Sequence, residues 1–258
     1  MGHAMPFDAM AADYDRSFTA SAIGQRLRAA VWRRLDAAFV PGDRVLELNC
    51  GTGEDAVHLG RRGVRVLATD IAPGMLAATR HKIAHAGVAG IVEVAPLAIE
   101  KLPRLRAGVF DGVLSNFGGL NCVDDLPAAA RAIAASLRPG ARALLCVMGP
   151  LVPWEWGWYL AHGQPRKALR RLRRYGTSWR GLTIRYPSIG EMRRAFAPHF
   201  TEQRVAALGA LVPPPYAEAW VARHPRILAA LDHWERQIET VPPLPWLADH
   251  YLIELERR

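Results

Sequence analysis

The chain has 258 residues, half of them hydrophobic, which is enough for a sizeable core in one large domain. Its net charge of +9 comes almost entirely from arginine, since only three of the 33 basic residues are lysines, and we expect no DNA partner. Three scattered cysteines without a Cys-x-x-Cys pair argue against a disulfide framework and a metal site, and no run of 18 apolar residues suggests a membrane span, so we expect a cytoplasmic protein.

Strand-like and helix-like segments alternate along the chain up to residue 148. We predict strands near 44–48, 64–69, 91–95, 110–115 and 141–148, and helices near 20–38, 54–61, 74–86 and 125–137. This alternation is typical of a parallel sheet with helices on both faces, which binds ligands beyond the carboxyl ends of its strands.

The regular alternation stops at Gly149. An aromatic segment and a basic segment follow, which predicts a helical cap inserted after the fifth strand. We then predict a helix over 189–196, a strand over 201–208, further helices up to about 239 and a last strand over 250–255.

A glycine turn connects the first predicted strand to the helix that follows it. Gly51 and Gly53 allow the backbone to approach a ligand closely, and the helix that begins near Glu54 directs its first amides towards polar groups. The second predicted strand ends in Asp70, an acid placed to accept hydrogen bonds from ribose hydroxyls. Together these features predict a nucleoside pocket.

The glycine spacing alone leaves the nucleoside open, because Gly51-x-Gly53-x-x-Ala56 also satisfies the dinucleotide pattern of NAD-binding proteins. Glu47, at the end of the first strand, favours another ligand. A carboxylate there would repel a pyrophosphate and attract a cation, and S-adenosylmethionine carries an ammonium and a sulfonium but no phosphate. We therefore predict S-adenosylmethionine as the cofactor, with S-adenosylhomocysteine as its product.

Three segments carry a family resemblance: ELNCGTG over 47–53, DIAPGM over 70–75 and FDGVLSN over 110–116. They resemble the successive cofactor motifs of class I S-adenosylmethionine-dependent methyltransferases, in the style of the ubiquinone and menaquinone biosynthesis enzymes. The resemblance implies a doubly wound, Rossmann-like α/β fold with a seven-stranded mixed sheet. The segment FDAMAADYD over 7–15 is similar to that group's opening segment, whose tyrosine, here Tyr14, is expected to fold over the cofactor.

The chain departs from that family at two places. Asn49 stands where the glycine turn usually begins, and since asparagine tolerates a positive φ, we expect the turn to be kept and its side chain to add a contact. Ala98 stands where an acid often binds the adenine amino group, so backbone groups of Ala98 and Ile99 and apolar packing with Ile71 are expected to hold the adenine. The predicted cofactor-binding residues are Tyr14, Glu47, Asn49, Cys50, Gly51, Gly53, Asp70, Ile71, Met75, Ala98, Ile99, Asn116 and Phe117.

The acceptor side is predicted from the aromatic segment after the fifth strand. Its broad side chains suit a flat or greasy acceptor, and the predicted substrate-binding residues are Trp154, Trp156, Trp158 and Tyr159. Methyl transfer is an in-line displacement, so most of the catalysis can come from alignment and desolvation, and a base is needed only if the acceptor must lose a proton. Weak candidates to orient or deprotonate an acceptor are Asn121, Glu155, His162 and His199.

The basic segment, residues 166–174, is expected to form one short helix with Leu169, Leu172 and Tyr175 on its apolar side. A plain solvated face, an anionic ligand, a membrane surface and RNA are its alternative interpretations.

We expect a single methyltransferase domain over 1–258, with a lid and helix at 5–40, a cofactor-binding core at 41–148, the cap at 149–186 and the rest of the sheet at 187–258. Its predicted function is O-, C-, N- or S-methylation of a small apolar or aromatic acceptor. An RNA or protein methyltransferase and a cofactor-binding protein without transferase activity are the alternatives, and the oligomeric state is left open.

Overall fold

The computed structural model describes residue 7, residues 11–105 and residues 108–258. The predicted lid begins partly outside this range, since residues 5, 6 and 8–10 lie outside the described residues. From residue 11 the chain forms a short helix, α1 (Ala11–Tyr14), and a π-helical turn, Asp15–Thr19. The helix α2 (Ala22–Ala38) follows, and the Ser21 side chain caps it by accepting a hydrogen bond from the Gly24 amide.

Seven strands form one twisted mixed sheet in the order β3-β2-β1-β4-β5-β9-β8. Their bounds are β1 Arg44–Leu48, β2 Arg65–Asp70, β3 Val92–Pro96, β4 Phe110–Ser115, β5 Leu137–Met148, β8 Phe200–Leu208 and β9 His250–Arg257. The first five strands run parallel, and β9 pairs antiparallel with β5 and β8. The predicted seven-stranded mixed sheet is confirmed.

Helices cover both faces of this sheet. Further helices are α3 Glu54–Arg61, α4 Pro73–His85, α5 Leu126–Ala135, α6 Pro153–Ala161, α7 Pro165–Ala168, α8 Ile189–Phe196, α9 Glu218–Arg223 and α10 Pro225–Ile238. Successive strand side chains point to opposite faces, so Val45 packs under α2 and α3 while Leu46 packs with α5 and α8 on the other side. The fold is therefore doubly wound, as predicted.

The inserted cap between β5 and α8 differs from its prediction. The basic segment does not form one helix, because α7 stops at Ala168 and a 3-10 turn occupies Arg170–Leu172. A two-stranded hairpin, β6 (Thr177–Trp179) and β7 (Leu182–Ile184), follows and was not predicted. The turn between these strands places Arg180 and Gly181 in the left-handed region, with φ angles of 48° and 84°.

Within the described ranges, no helix combines the length and the apolar character that crossing a bilayer would require.

Candidate functional site

A cavity of about 500 Å³ opens at the carboxyl ends of β1, β2 and β4, at the point between β1 and β4 where the strand order reverses. One half of its wall comes from those strand ends: Asn49, Gly51, Asp70, Ile71, Met75, Leu97, Ala98, Ile99, Glu100, Asn116, Phe117, Gly118 and Gly119. The other half comes from the lid, the cap and neighbouring loops: Phe7, Tyr14, Cys122, Val123, Met148, Arg170, Thr177, Trp179, Leu182, Ile184 and Tyr186.

The glycine turn has the left-handed backbone that a tight turn requires. Gly51 and Gly53 have φ angles of 56° and 82°, and Asn49 has a φ of 51°. A Cβ on Gly53 would lie 2.6 Å from the Thr79 side chain, so only glycine fits between the turn and α4. The backbone at Gly51 therefore lies open to the cavity without an intervening side chain.

Asn49 connects the tips of β1 and β4. Its Oδ1 accepts a hydrogen bond of 2.7 Å from the Ser115 hydroxyl, and its Nδ2 donates one of 2.9 Å to the Asn116 carbonyl. A Cβ on Gly119 would lie 1.9 Å from the Asn49 side chain, so a glycine is needed there for close approach. The turn is thus kept with asparagine at this position, and the Asn49 side chain adds contacts to the end of β4.

Asp70 is held in one orientation at the end of β2. Its Oδ2 accepts a 3.0 Å hydrogen bond from the Gly51 amide, and its Oδ1 accepts a 2.9 Å hydrogen bond from the Ala72 amide. A carboxylate oxygen can accept more than one hydrogen bond, so this arrangement can also receive the hydroxyls of a ribose. Asp70 faces the cavity at the place where the sequence predicts the sugar.

Glu47 is a buried carboxylate on β1, and its side chain is 1% exposed. Its Oε2 has no hydrogen-bond partner among the described residues. Burial raises the pKa of Glu47 well above its ordinary value, and the charges of Asp55 and Asp70 raise it further, while Arg28 acts in the opposite direction. A cation that arrived nearby would favour the ionised form of this group.

A buried network on the same face of the sheet holds Asn116 in place. Asp55 accepts hydrogen bonds of 2.7 Å from Arg28, 2.7 Å from Trp32 and 2.8 Å from the Asn116 side-chain amide. Although burial acts to raise the pKa of Asp55, Arg28 and these hydrogen bonds lower it. The Arg28 guanidinium also lies 5.0 Å from the centre of the Phe117 ring. Sequence patterns did not predict this network, because Arg28 lies in the middle of a helix and its partner Asp55 is 27 residues away in sequence.

The lid is fixed to the glycine turn by Asp15. Its carboxylate accepts a 2.6 Å hydrogen bond from the Thr52 hydroxyl and forms a 2.7 Å ion pair with Lys82. Lys82 also pairs with Glu54 at the start of α3. This contact places Tyr14, the preceding residue, in the wall of the cavity.

Two side chains of the cavity wall keep their protons at neutral pH. Burial raises the pKa of Tyr14 to about 12 and that of the Cys122 thiol to about 11. Neither group is therefore a base under ordinary conditions, which suits a reaction that depends on alignment.

Ten of the thirteen predicted cofactor-binding residues line the cavity, namely Tyr14, Asn49, Gly51, Asp70, Ile71, Met75, Ala98, Ile99, Asn116 and Phe117. Glu47, Cys50 and Gly53 do not line it. Cys50 is buried between the turn and α4, with 3.7 Å between its Sγ and the Thr79 Oγ1.

The predicted substrate-binding residues, Trp154, Trp156, Trp158 and Tyr159, do not line the cavity. The Trp154 indole donates a 3.2 Å hydrogen bond to the Leu211 carbonyl. Trp158 and Tyr159 lie 5.4 and 5.3 Å from the Tyr216 ring. These contacts join α6 to the C-terminal helical region, and the cavity takes its cap-side aromatics, Trp179 and Tyr186, from the hairpin segment instead.

The candidate catalytic residues also lie elsewhere. Asn121 is fully buried, and its side-chain amide is hydrogen-bonded to backbone groups of Met148 and Arg185. Glu155 is a buried ion-pair partner of Arg170 and Arg171.

The two candidate histidines are also outside the cavity wall. His162 donates to the Trp158 carbonyl at 2.7 Å on the outside of α6, and His199 lies just before β8, where its carbonyl accepts a hydrogen bond from the Arg258 amide. Across residues 11–105 and 108–258, no three acidic, histidine or cysteine side chains group as metal ligands would.

Comparisons with known proteins agree with this geometry. Residues 45–140 match the family described as a methyltransferase domain. The demethylmenaquinone methyltransferase of Mycobacterium marinum is 37% identical over 143 residues, which cover 54% of this chain and 56% of that protein. The chain thus matches about half the length of this curated relative.

Solved structures show the same fold. An S-adenosylmethionine-dependent methyltransferase of Mesorhizobium loti superposes with a TM-score of 0.56 at 20% identity, covering 89% of this chain and 98% of that one. The cyclase SpnF superposes with a TM-score of 0.55 at 15% identity, covering 97% of this chain and 81% of that one. The sequence match thus shows a methyltransferase domain over residues 45–140, and the solved structures show a shared fold.

Proposed function

We propose that this chain, whose residues 45–140 match the methyltransferase-domain family, transfers a methyl group from S-adenosylmethionine to a small acceptor. The observation that carries the proposal is the pair of carboxylates at the tips of β1 and β2. Glu47 is buried with an unpartnered oxygen, which suits a cationic amino-acid moiety, and Asp70 is oriented for a ribose.

The described residues fit such a cofactor. Asp70 would accept the ribose hydroxyls, Ile71 and the backbone of Ala98 and Ile99 would hold the adenine, and the Asn49–Gly51 turn would border the amino-acid moiety. The bound cofactor would supply an electrophilic methyl group on its sulfonium. The chain's own contribution is to align the acceptor and to exclude water, with Tyr14 and the lid closing the cavity from one side.

The acceptor half of the cavity favours a flat, apolar molecule. Its wall includes Val123, Trp179, Leu182 and Ile184. Demethylmenaquinone, named in the curated relatives, has a flat ring of this general kind. We thus propose that residues 41–148 bind the cofactor and residues 149–186 cover the acceptor, which is methylated on O, C, N or S.

The hairpin of the cap contributes to the wall of the cavity, and this disfavours RNA or protein as the acceptor. The alternative function is cofactor binding without methyl transfer, since the same fold occurs in a cyclase and the fold alone does not specify the reaction.

The test is incubation of the chain with methyl-labelled S-adenosylmethionine and a metabolite extract. We expect label in small organic compounds, and loss of that label in Asp70→Ala but not in Asp13→Ala, a carboxylate of the lid that pairs with the nearby Arg16. Label in macromolecules alone would favour the RNA or protein alternative. Tight binding of S-adenosylhomocysteine without transfer to any compound would contradict the proposed activity.

We also propose that the cap contacts an anionic surface from the cytoplasmic side. Arg166, Lys167, Arg173 and Arg174 are exposed, and Leu169, Leu172 and Tyr175 beside them are 51%, 49% and 72% exposed. Basic and apolar side chains together favour the interface of an anionic bilayer. Sedimentation with vesicles should capture the chain on phosphatidylglycerol and much less on phosphatidylcholine, and Arg173→Gln with Arg174→Gln should reduce that capture. Equal capture on both lipids would contradict the proposal.

A further inference from the structure

One cationic side chain lies in the wall of an otherwise largely apolar cavity. Arg170 is the only arginine or lysine among the described residues that line it. The acidic residues of the wall, Asp70 and Glu100, come from the strand ends that would hold the cofactor, whereas Arg170 comes from the cap. Arg170 is therefore on the acceptor side.

A buried carboxylate holds the guanidinium of Arg170 in place. Its Nε donates a 2.7 Å hydrogen bond to Oε1 of Glu155, and its Nη2 donates a 3.2 Å bond to Oε2. Glu155 is 1% exposed and also accepts a 2.8 Å hydrogen bond from Arg171. The position of Arg170 is thus set by the core of the cap.

This pairing uses only part of the donor capacity of Arg170. A guanidinium has five N–H donors, and two of them bind Glu155. No described residue accepts a hydrogen bond from the remaining three, and the side chain is 33% exposed. Arg171 contacts both Glu155 and Asp249, so it already provides a partner for Glu155 that does not depend on Arg170.

Other cap residues of the cavity wall are suited to an aromatic ring. Trp179 and Tyr186 provide flat faces, Ile184 provides apolar contact, and the Thr177 hydroxyl is bonded to the Arg170 carbonyl at 3.3 Å. A guanidinium held in a fixed orientation binds anionic oxygen well, because charge-assisted hydrogen bonds are strong and its planar N–H groups match the geometry of a carboxylate.

We propose that Arg170 is a specificity-determining residue, and that the acceptor is an aromatic compound with an anionic oxygen, a carboxylate or a phenolate, that binds this guanidinium. The inference rests on the proposed function for the position of the acceptor. It adds the chemical class of the acceptor and the residue that selects it.

The test compares two probes of nearly equal shape, 2-naphthoate and its neutral amide, 2-naphthamide, by calorimetry with S-adenosylhomocysteine present. We expect naphthoate to bind about tenfold more tightly or better, as a charge-assisted hydrogen bond would give. Arg170→Gln should reduce this ratio to about one and leave the amide unaffected, whereas Arg170→Lys should keep part of the preference.

Arg174→Gln, which changes an exposed arginine of the same segment outside the cavity wall, is the matched control and should keep the full preference. The inference is overturned if naphthoate binds no better than the amide, or if Arg170→Gln keeps the preference while its melting temperature is normal. Binding of S-adenosylhomocysteine is a separate heat in the same experiment. If S-adenosylhomocysteine gives no heat of binding but naphthoate still binds more tightly than the amide, the proposed function fails and the role of Arg170 is supported.

Discussion

Replacing Glu47 by glutamine should weaken cofactor binding by about 100-fold or more and, in the same protein, stabilise the unliganded fold. Loss of a buried charge partner typically costs about 2–5 kcal/mol of binding free energy. The free energy of unfolding of the unliganded protein should rise by about 1–3 kcal/mol, because glutamine puts no unpartnered negative charge in the core. Weaker cofactor binding together with a more stable unliganded fold is the result expected of a residue that serves binding and not stability.

The dependence on pH has a definite sign. Burial and the nearby acids raise the folded-state pKa of Glu47 well above 4.5, so the folded protein binds more protons than the unfolded chain above that pH. The free energy of unfolding should therefore fall as pH rises from about 4.5 towards the raised pKa, and this fall should be absent in Glu47→Gln. Cofactor affinity should change in the other direction and weaken as pH falls below the raised pKa.

Calorimetric titration with S-adenosylhomocysteine and urea unfolding at several pH values measure these two effects. Glu93→Gln is the matched control, because it makes the same substitution at an exposed position on β3. Equal cofactor affinity of the wild type and Glu47→Gln would show that Glu47 does not contact the ligand.

Replacing Arg171 by methionine should destabilise the protein by about 3–5 kcal/mol, the usual cost of removing one partner from a buried ion pair. Arg171 is 7% exposed. It donates hydrogen bonds to Glu155, to both the carbonyl and the carboxylate of Asp249 and to the Gly149 carbonyl. Although burial acts to raise the pKa of Asp249, Arg171 and His250 hold it well below its ordinary value. Without Arg171 this carboxylate would lose its main partner.

Arg174→Met is the control, since Arg174 is exposed and makes no ion pair with the part of the chain described. We expect the control to change the free energy of unfolding by less than about 0.5 kcal/mol. Urea unfolding of both variants, followed by far-ultraviolet circular dichroism, measures the difference. A similar small effect of both substitutions would show that the cap is held by other contacts.

The strands and the cofactor side of the site could be predicted because their signals are local. The turn at Gly51 and Gly53 and the acid at the end of β2 depend on residues within about one strand-turn-helix unit. The topology then brings Asp70, Ala98 and Asn116 to one edge, because parallel strands all end there. Even the departure at Asn49 could be predicted, since its positive φ follows from its chemistry.

The acceptor side could not be predicted because its contacts are distant in sequence. The arginines of the basic segment suggest a solvated face, and only the fold brings Asp249 to Arg171 across 78 residues. Four adjacent aromatic residues likewise give no sign of which surface they contact, and α6 turns Trp158 and Tyr159 towards Tyr216. The short strands around Arg180 and Gly181 hold too few residues for a periodic signal, although they carry Trp179 into the cavity wall.

The central claim is that the strand tips at Glu47 and Asp70 hold S-adenosylmethionine, and competitive calorimetry of the whole chain against S-adenosylhomocysteine and NADH tests it most directly. We expect one equivalent of S-adenosylhomocysteine to bind, Glu47→Gln to lose that heat, and NADH neither to bind nor to compete. Saturable binding of NADH at the same site, or no binding of S-adenosylhomocysteine by the folded wild type, would contradict the claim.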